Sequence, residues 1–398
     1  MKATLRTFSC GDGDCIFLKL ADINTGESFH IMIDCGALSD EIVDYVSTEF
    51  NCRIDVLIVT HIDCDHIDGI TALLYEPGME NIHIEHIIYN CLQIKPNEIP
   101  LALPETENKV IRGRINTFTQ TIKHIAETDI SVSTAISLAA TILQKDNLKN
   151  AWGKERITKD SNITVLGDKW GKLIWLSPTS EALDNLYSLY RNAYAGITGK
   201  PAPTNVFTNQ EEIYEQMLLM ENARKKPYRG RRIAYGLLDQ ESFATAADNE
   251  YDENSVSLAN KASLAFVWEY ENKRILFMGD AMCSVVCDSL KSQYHTDNIT
   301  FELIKISHHG SKYSTSKELV SMTDTDHFFL TGGKKEERPT LDALSKILSK
   351  PVADNRSRTL HYNVETPILL QLSSKECSAI SDRYKFALTK NSIYEFEY

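Results

Sequence analysis

The chain has 398 residues, a net charge of −13, a hydrophobic fraction of 42% and a charged fraction of 24%, which is the composition of a globular protein long enough to bury a large core. Its nine cysteines are scattered without a Cys-x-x-Cys pair, which argues against a disulfide framework or a zinc ribbon and for a reducing, cytoplasmic setting. No apolar run reaches membrane-spanning length and the first residues, MKATLRTFSCGDGDC, carry no hydrophobic signal segment, so no membrane association is expected.

The N-terminal third reads as strands. KATLRTFSC, CIFLKLAD, SFHIMIDCG and IDVLIVTH are short, β-rich and bounded by Gly, Asp or Asn. The turn GDGD separates the first two, and SDEIVDYVSTEF has helical spacing with Ser39 or Asp40 as N-cap. From 91 to 250 the character changes to a mainly helical insertion. NTFTQTIKHIAETD, VSTAISLAATILQKD and SEALDNLYSLYRNAY predict helices there, with brief strands at NITVLGD and KLIWLSP. Within this insertion lies ARKKPYRGRR, Ala223 to Arg232. An acidic chain can meet nucleic acid only through a local basic patch, and this is the candidate, a solvated loop being the plain alternative.

After Glu250 strands return. SLAFVWEYENKRILFMGDA reads as a hairpin around ENK, and ELIKISHHGS as a strand ending in histidines. HFFLTGG, the helical RPTLDALSKILSK, TPILLQLS and RYKFALTK follow. Strand-rich halves around a helical insert predict a layered α/β sandwich, one domain over 1–398.

Three polar bursts at strand ends carry the chemistry: His61-Ile-Asp63-Cys-Asp65-His66, Gly279-Asp280, and His308-His309-Gly310-Ser311. Capping aspartates and incidental histidines would explain any one of them. Together they supply imidazole and carboxylate in the numbers that two divalent ions such as zinc or manganese require.

The first burst, H-x-D-x-D-H after a buried strand, resembles the H-x-H-x-D-H signature of metallo-β-lactamase-fold hydrolases. Its Asp63 variant is most similar to the branch containing the hydrolase domain of bacterial DNA-uptake channel proteins. MGDA, SHHGS, Gly13-Asp14, Asp34-Cys35-Gly36 and NKAS (Asn260 to Ser263) match that branch in order, so the resemblance covers 1–90 and 255–332. It implies an αββα sandwich with a two-metal site. His61 and Asp63 would hold the first ion, Asp65, His66 and His309 the second, with Asp280 bridging. Asp65, Asp280 and His308 would act in catalysis, His308 near the leaving group. Asp34, Asn260, Ser263 and Ser311 would support ligands or touch substrate. The family's usual third histidine on the first ion has no counterpart, since no histidine lies between His124 and His295. One tight and one loose ion are therefore expected.

The implied activity is phosphodiester hydrolysis by a metal-bound hydroxide, with DNA the first candidate substrate. A small cyclic nucleotide or phospholipid head group is the alternative, and a non-catalytic regulatory module a third reading. For Lys334, Lys335 and Arg338 a helix-entry loop is the plain reading, and a place to hold a phosphate the alternative. The Arg224 to Arg232 loop also invites proteolysis, so a protease or regulatory partner acting on the insertion would release a latent enzyme.

Overall fold

Alternation sets the first strand. In β1 (Lys2–Thr7) Ala3, Leu5 and Thr7 are buried, whereas Lys2, Thr4 and Arg6 are partly exposed, the period-two pattern of a sheet with one covered face. β2 (Ile16–Ala21) and β3 (Ser28–Ile33) follow it antiparallel. β4 (Arg53–Val59) differs in being buried throughout Ile54–Val59. Leu57 and Val59 face a layer of helices, while Val56 and Ile58 face a second sheet. That is why its sequence is continuously apolar rather than alternating. The parallel links β3–β4 and β4–β5 (His83–Tyr89) are crossovers through α1 (Asp40–Thr48) and α2 (Cys64–Tyr75). Ser39 caps α1 by accepting from the Ile42 N–H.

The computed structural model describes residues 1–91, 145–153, 155–188, 238–333 and 338–398, with Ala135, Leu138, Ala139, Thr141 and Ile142. Its remaining strands are β6 (Lys172–Ser177), β7 (Ala265–Tyr270), β8 (Lys273–Phe277), β9 (Ile299–Thr300), β10 (Leu303–Lys305), β11 (Thr323–Asp324), β12 (His327–Leu330), β13 (Arg358–Tyr362), β14 (Phe386–Lys390) and β15 (Ile393–Glu397). The protein is mixed α/β. One sheet has the order β15-β1-β2-β3-β4-β5, the other β14-β13-β12-β10-β8-β7-β6, and β9 pairs with β11.

Side chains of both large sheets interlock in one cluster: Leu5, Leu18, Ile31, Val56 and Ile58 meet Phe266, Trp268, Phe277 and Phe329. Burying each of these stabilises the fold by about 1.5–3 kcal/mol. Ile42, Val46, Ile67 and Ile70 of α1 and α2 cover the outer face of the first sheet. Val286, Leu290, Leu344 and Leu348, from helices Cys283–Tyr294 and Leu341–Ser349, cover that of the second. The layers run helix, sheet, sheet, helix.

The expected hairpin is β7–β8, turning at Glu271 with φ 50°. KLIWLSP is β6, an edge strand antiparallel to β7. NITVLGD is not a strand: it has no ladder partner, and the edge it would extend ends at β6. TPILLQLS is a helix, Pro367–Leu372, with proline in its first turn where no N–H is needed. Most of the expected insertion helices, the basic Ala223–Arg232 stretch, and Lys334 and Lys335 lie outside the described residues. Among those described, no helix is long and apolar enough to cross a membrane.

Strands β3, β4, β8, β10 and β12 all end in one region, where Asp34, Thr60, Gly279, Ser307 and Thr331 lie in the first two positions after their strands. Carboxyl ends of parallel strands are where open α/β sheets place their sites.

Candidate metal centre

At the end of β4 the chain passes through Thr60 and His61 and enters α2. Asp63 occupies the N-cap position, and Asp65 and His66 fall in the first turn. The Asp63 side chain does not cap the helix, so capping does not account for that carboxylate. Glycine makes this corner possible. A Cβ on Gly13 would lie 1.5 Å from the Asp65 carbonyl oxygen, and one on Gly36 would lie 2.0 Å from it. Two loops thus press backbone against the start of α2, which only residues without a side chain allow.

From the second sheet, β8 delivers Asp280, and β10 leads into His308 and His309. Asp280 sits between two groups of ligand atoms. Its Oδ2 lies 3.6 Å from His61 Nε2, which is 3.7 Å from Asp63 Oδ2. Its Oδ1 lies 3.7 Å from His66 Nε2. His309 Nε2 lies 3.9 Å from Asp65 Oδ2. Such separations are too long for hydrogen bonds. Two donors each about 2.1 Å from one tetrahedral ion stand about 3.4 Å apart, so these are close to the spacings of ligands sharing a cation.

The Nε2 atoms of His61, His66 and His309 and Oδ1 of Asp280 are all buried without a hydrogen-bond partner. Each such orphan costs about 1–3 kcal/mol, and four aimed at one region mark a place built for a cation. The sets His61–His66–Asp280 and Asp65–His66–His309 each bring ligand atoms within 4.8 Å of one another and could hold a metal ion.

The ring nitrogens on the far side are all engaged. His66 Nδ1 donates to Asp34 Oδ2 at 2.8 Å. Asp34 also accepts from the Thr60 N–H at 2.7 Å and from its hydroxyl at 2.6 Å. With that hydroxyl proton committed, Thr60 Oγ1 accepts from His61 Nδ1 at 3.0 Å. His309 Nδ1 donates to the Thr331 carbonyl at 2.9 Å. Each ring is thereby fixed as the tautomer whose Nε2 lone pair points into the centre.

A third acidic set, Asp14–Asp34–His66, is a support rather than a second cation site. Asp14 forms a buried ion pair with Lys305, accepts from the Thr331 hydroxyl and lies 3.4 Å from His309 Nδ1. Lys305 also donates to the Gly279 carbonyl at 3.3 Å, bracing the turn that presents Asp280. Burial alone would raise the Asp14 pKa, but Lys305 and His309 outweigh it and hold the carboxyl well below its usual range. Burial would likewise raise Asp280, and His308, His66 and His61 outweigh it and keep it ionised. For His66, burial opposes protonation, yet Asp280 and Asp34 prevail and raise its pKa, so a cation taking Nε2 would displace a proton. For His308, burial prevails over Asp280 and pushes it down to about 3.

All of His61, Asp63, Asp65, His66, Asp280, His308 and His309 meet here. Ser263 Oγ accepts from the Asp280 N–H at 3.0 Å, and Asn260 Nδ2 lies 3.4 Å from Asp280 Oδ2. The Ser311 hydroxyl caps the turn Lys312–Ser314 by accepting from the Tyr313 N–H. Sequence reasoning missed Asp14, Thr60, Lys305 and Thr331 as supports. A lysine inside the apolar run ELIKIS was the one visible signal, because a charge there needs a buried partner. Comparison with family models and with curated proteins gives no match for this chain.

Proposed function

We propose that the chain is a metal-dependent hydrolase of phosphodiester bonds, in the first instance a DNA nuclease, on a fold resembling the metallo-β-lactamase sandwich. The observation that carries this reading is the convergence of His61, His66 and His309 Nε2 with Asp280 Oδ1, four buried polar atoms without partners. His61 and Asp63 would hold one ion, Asp65, His66 and His309 the other, and Asp280 would reach one with each oxygen. A pair of zinc or manganese ions, when bound, acidifies a water and clamps the oxygens of a displacement at phosphorus.

The chain's own residues do the rest. Asp34, Thr60 and Thr331 hold the rings in one tautomer and orientation. Asp14 and Lys305 keep a neutral pair beneath them, so that the ligand carboxylates face the ions without further uncompensated charge. Substrate charge has a partner in Arg338. Its segment packs on the histidine corner, where the Thr340 N–H donates to the Gly310 carbonyl at 2.9 Å. Its planar guanidinium would pair with a phosphate in this reading.

The test is cleavage of plasmid and single-stranded DNA with manganese, magnesium or zinc, beside a His61→Ala/Asp65→Ala double variant. Metal-dependent cutting that the variant lacks supports the nuclease. Hydrolysis of bis(p-nitrophenyl) phosphate without DNA cutting shifts the substrate to a small phosphodiester, the alternative that the charge of −13 favours. Bound metal with neither activity refutes a hydrolase of this class and leaves a regulatory module.

A further inference from the structure

The first ion, as just drawn, has one nitrogen donor against two for the second, and the sequence holds no histidine at the position where a further one is usual. We infer that His308 supplies that donor, so that the first ion is held by His61, Asp63, Asp280 and His308. This rests on the two-ion reading above and extends it.

The backbone is the first observation. His308 (φ 48°, ψ 47°) and His309 (φ 52°, ψ 30°) are consecutive left-handed residues, and Gly310 follows at φ 78°. Left-handed geometry costs a residue with a Cβ about 1–2 kcal/mol. Two histidines held in this geometry in succession are the kind of local strain found where side chains are being aimed. The corner is pinned by the His308 N–H donating to the Gly279 carbonyl at 3.0 Å, one residue before Asp280.

The second observation is where the ring arrives. His308 Nε2 lies 3.5 Å from Asp280 Oδ2, the oxygen that is 3.6 Å from His61 Nε2. With Asp63 Oδ2 at 3.7 Å from His61 Nε2, four donor atoms from three chain segments are linked pairwise through His61 Nε2 and Asp280 Oδ2, two nitrogens and two oxygens. His309 turns the other way, toward Asp65. Adjacent residues thus serve opposite sides of Asp280.

The third is the backing. Ser314 Oγ lies 3.3 Å from His308 Nδ1, the place that Asp34 and Thr331 take behind His66 and His309. Asn260 Nδ2 sits 3.3 Å from Nδ1 and 3.2 Å from Nε2. The His308 Nε2 thus already has a partner in the Asn260 amide, which an ion bound at that nitrogen would displace.

The test measures metal binding rather than turnover. Protein stripped with a chelator is titrated with manganese or zinc by calorimetry, and metal content is read after dialysis. Wild type is expected to take two ions. His308→Asn keeps a residue that tolerates left-handed backbone, and should weaken one ion by about 100-fold or more while sparing the other. His308→Gly should do the same, with added imidazole restoring the lost ion, which a merely structural role would not produce. His309→Asn should weaken the other ion. Two ions of unchanged affinity in both His308 variants overturn the inference and leave the two-ion reading intact. Fewer than two ions in wild type overturns both.

Discussion

The Nε2 of His66 and Oδ1 of Asp280 face each other at 3.7 Å, both buried, neither with a hydrogen-bond partner. One sits on α2 behind the first sheet and the other at the end of β8 in the second. A cation between them would tie the two halves of the sandwich together as well as equip the site.

Metal should therefore stabilise the fold. At 100 times its dissociation constant a single bound ion adds about 2.7 kcal/mol. Thermal unfolding with manganese or with a chelator should separate clearly for wild type. Asp280→Asn should abolish the separation, because it weakens both ion positions at once. A variant that keeps the full metal-dependent shift would show that Asp280 is not shared.

Among the described residues, the Asp34 carboxylate accepts hydrogen bonds from His66 and Thr60. Asp34→Asn should leave the fold standing yet lower affinity for one ion about 10–100-fold, as loss of a ring-orienting carboxylate does elsewhere. Calorimetric titration beside His66→Ala checks this. Unchanged affinity would mean that packing alone orients the ring.

Lys305 and Asp14 form a buried pair far from solvent. Lys305→Met leaves a buried carboxylate uncompensated and should cost about 3–5 kcal/mol in urea unfolding. Adding Asp14→Asn to it should recover much of that loss, since the double variant buries no lone charge. A double variant no better than the single would point to lost packing instead.

Away from the centre, His327 Nδ1 and His361 Nε2 lie 3.1 Å apart against Phe329 and Tyr394. Burial, then the neighbouring His327, lowers the His361 pKa from 6.5 to about 4. The folded state favours the neutral ring, so its stabilisation is complete above pH 6.5 and fades as pH falls toward 4. Going from pH 7 to pH 5, this site should therefore lower stability. His361→Gln should flatten that slope in urea titrations at the two pH values.

The first burst was legible in the sequence because His61, Asp63, Asp65 and His66 are local neighbours at a strand-to-helix junction, and a continuous apolar run reveals the strand. Asp280 and the two histidines were legible by the same logic, each closing a strand. The layering followed from apolar patterning, which burial enforces residue by residue. NITVLGD misled because β-propensity names a residue type, not a ladder partner.

What only the tertiary structure decided is direction and pairing. Thr331 and Asp14 are 317 residues apart and yet hydrogen-bonded. No spacing rule links them, because the contact exists only once two sheets stack. The same holds for the tautomers. A histidine in a sequence has two equivalent claims to a metal, and for His66 and His309 it is the distant Asp34 and Thr331 that engage Nδ1 and leave Nε2 facing inward. Sequence determines which side chains stand at the strand ends; hydrogen bonds across the assembled fold determine which of their atoms point at one another.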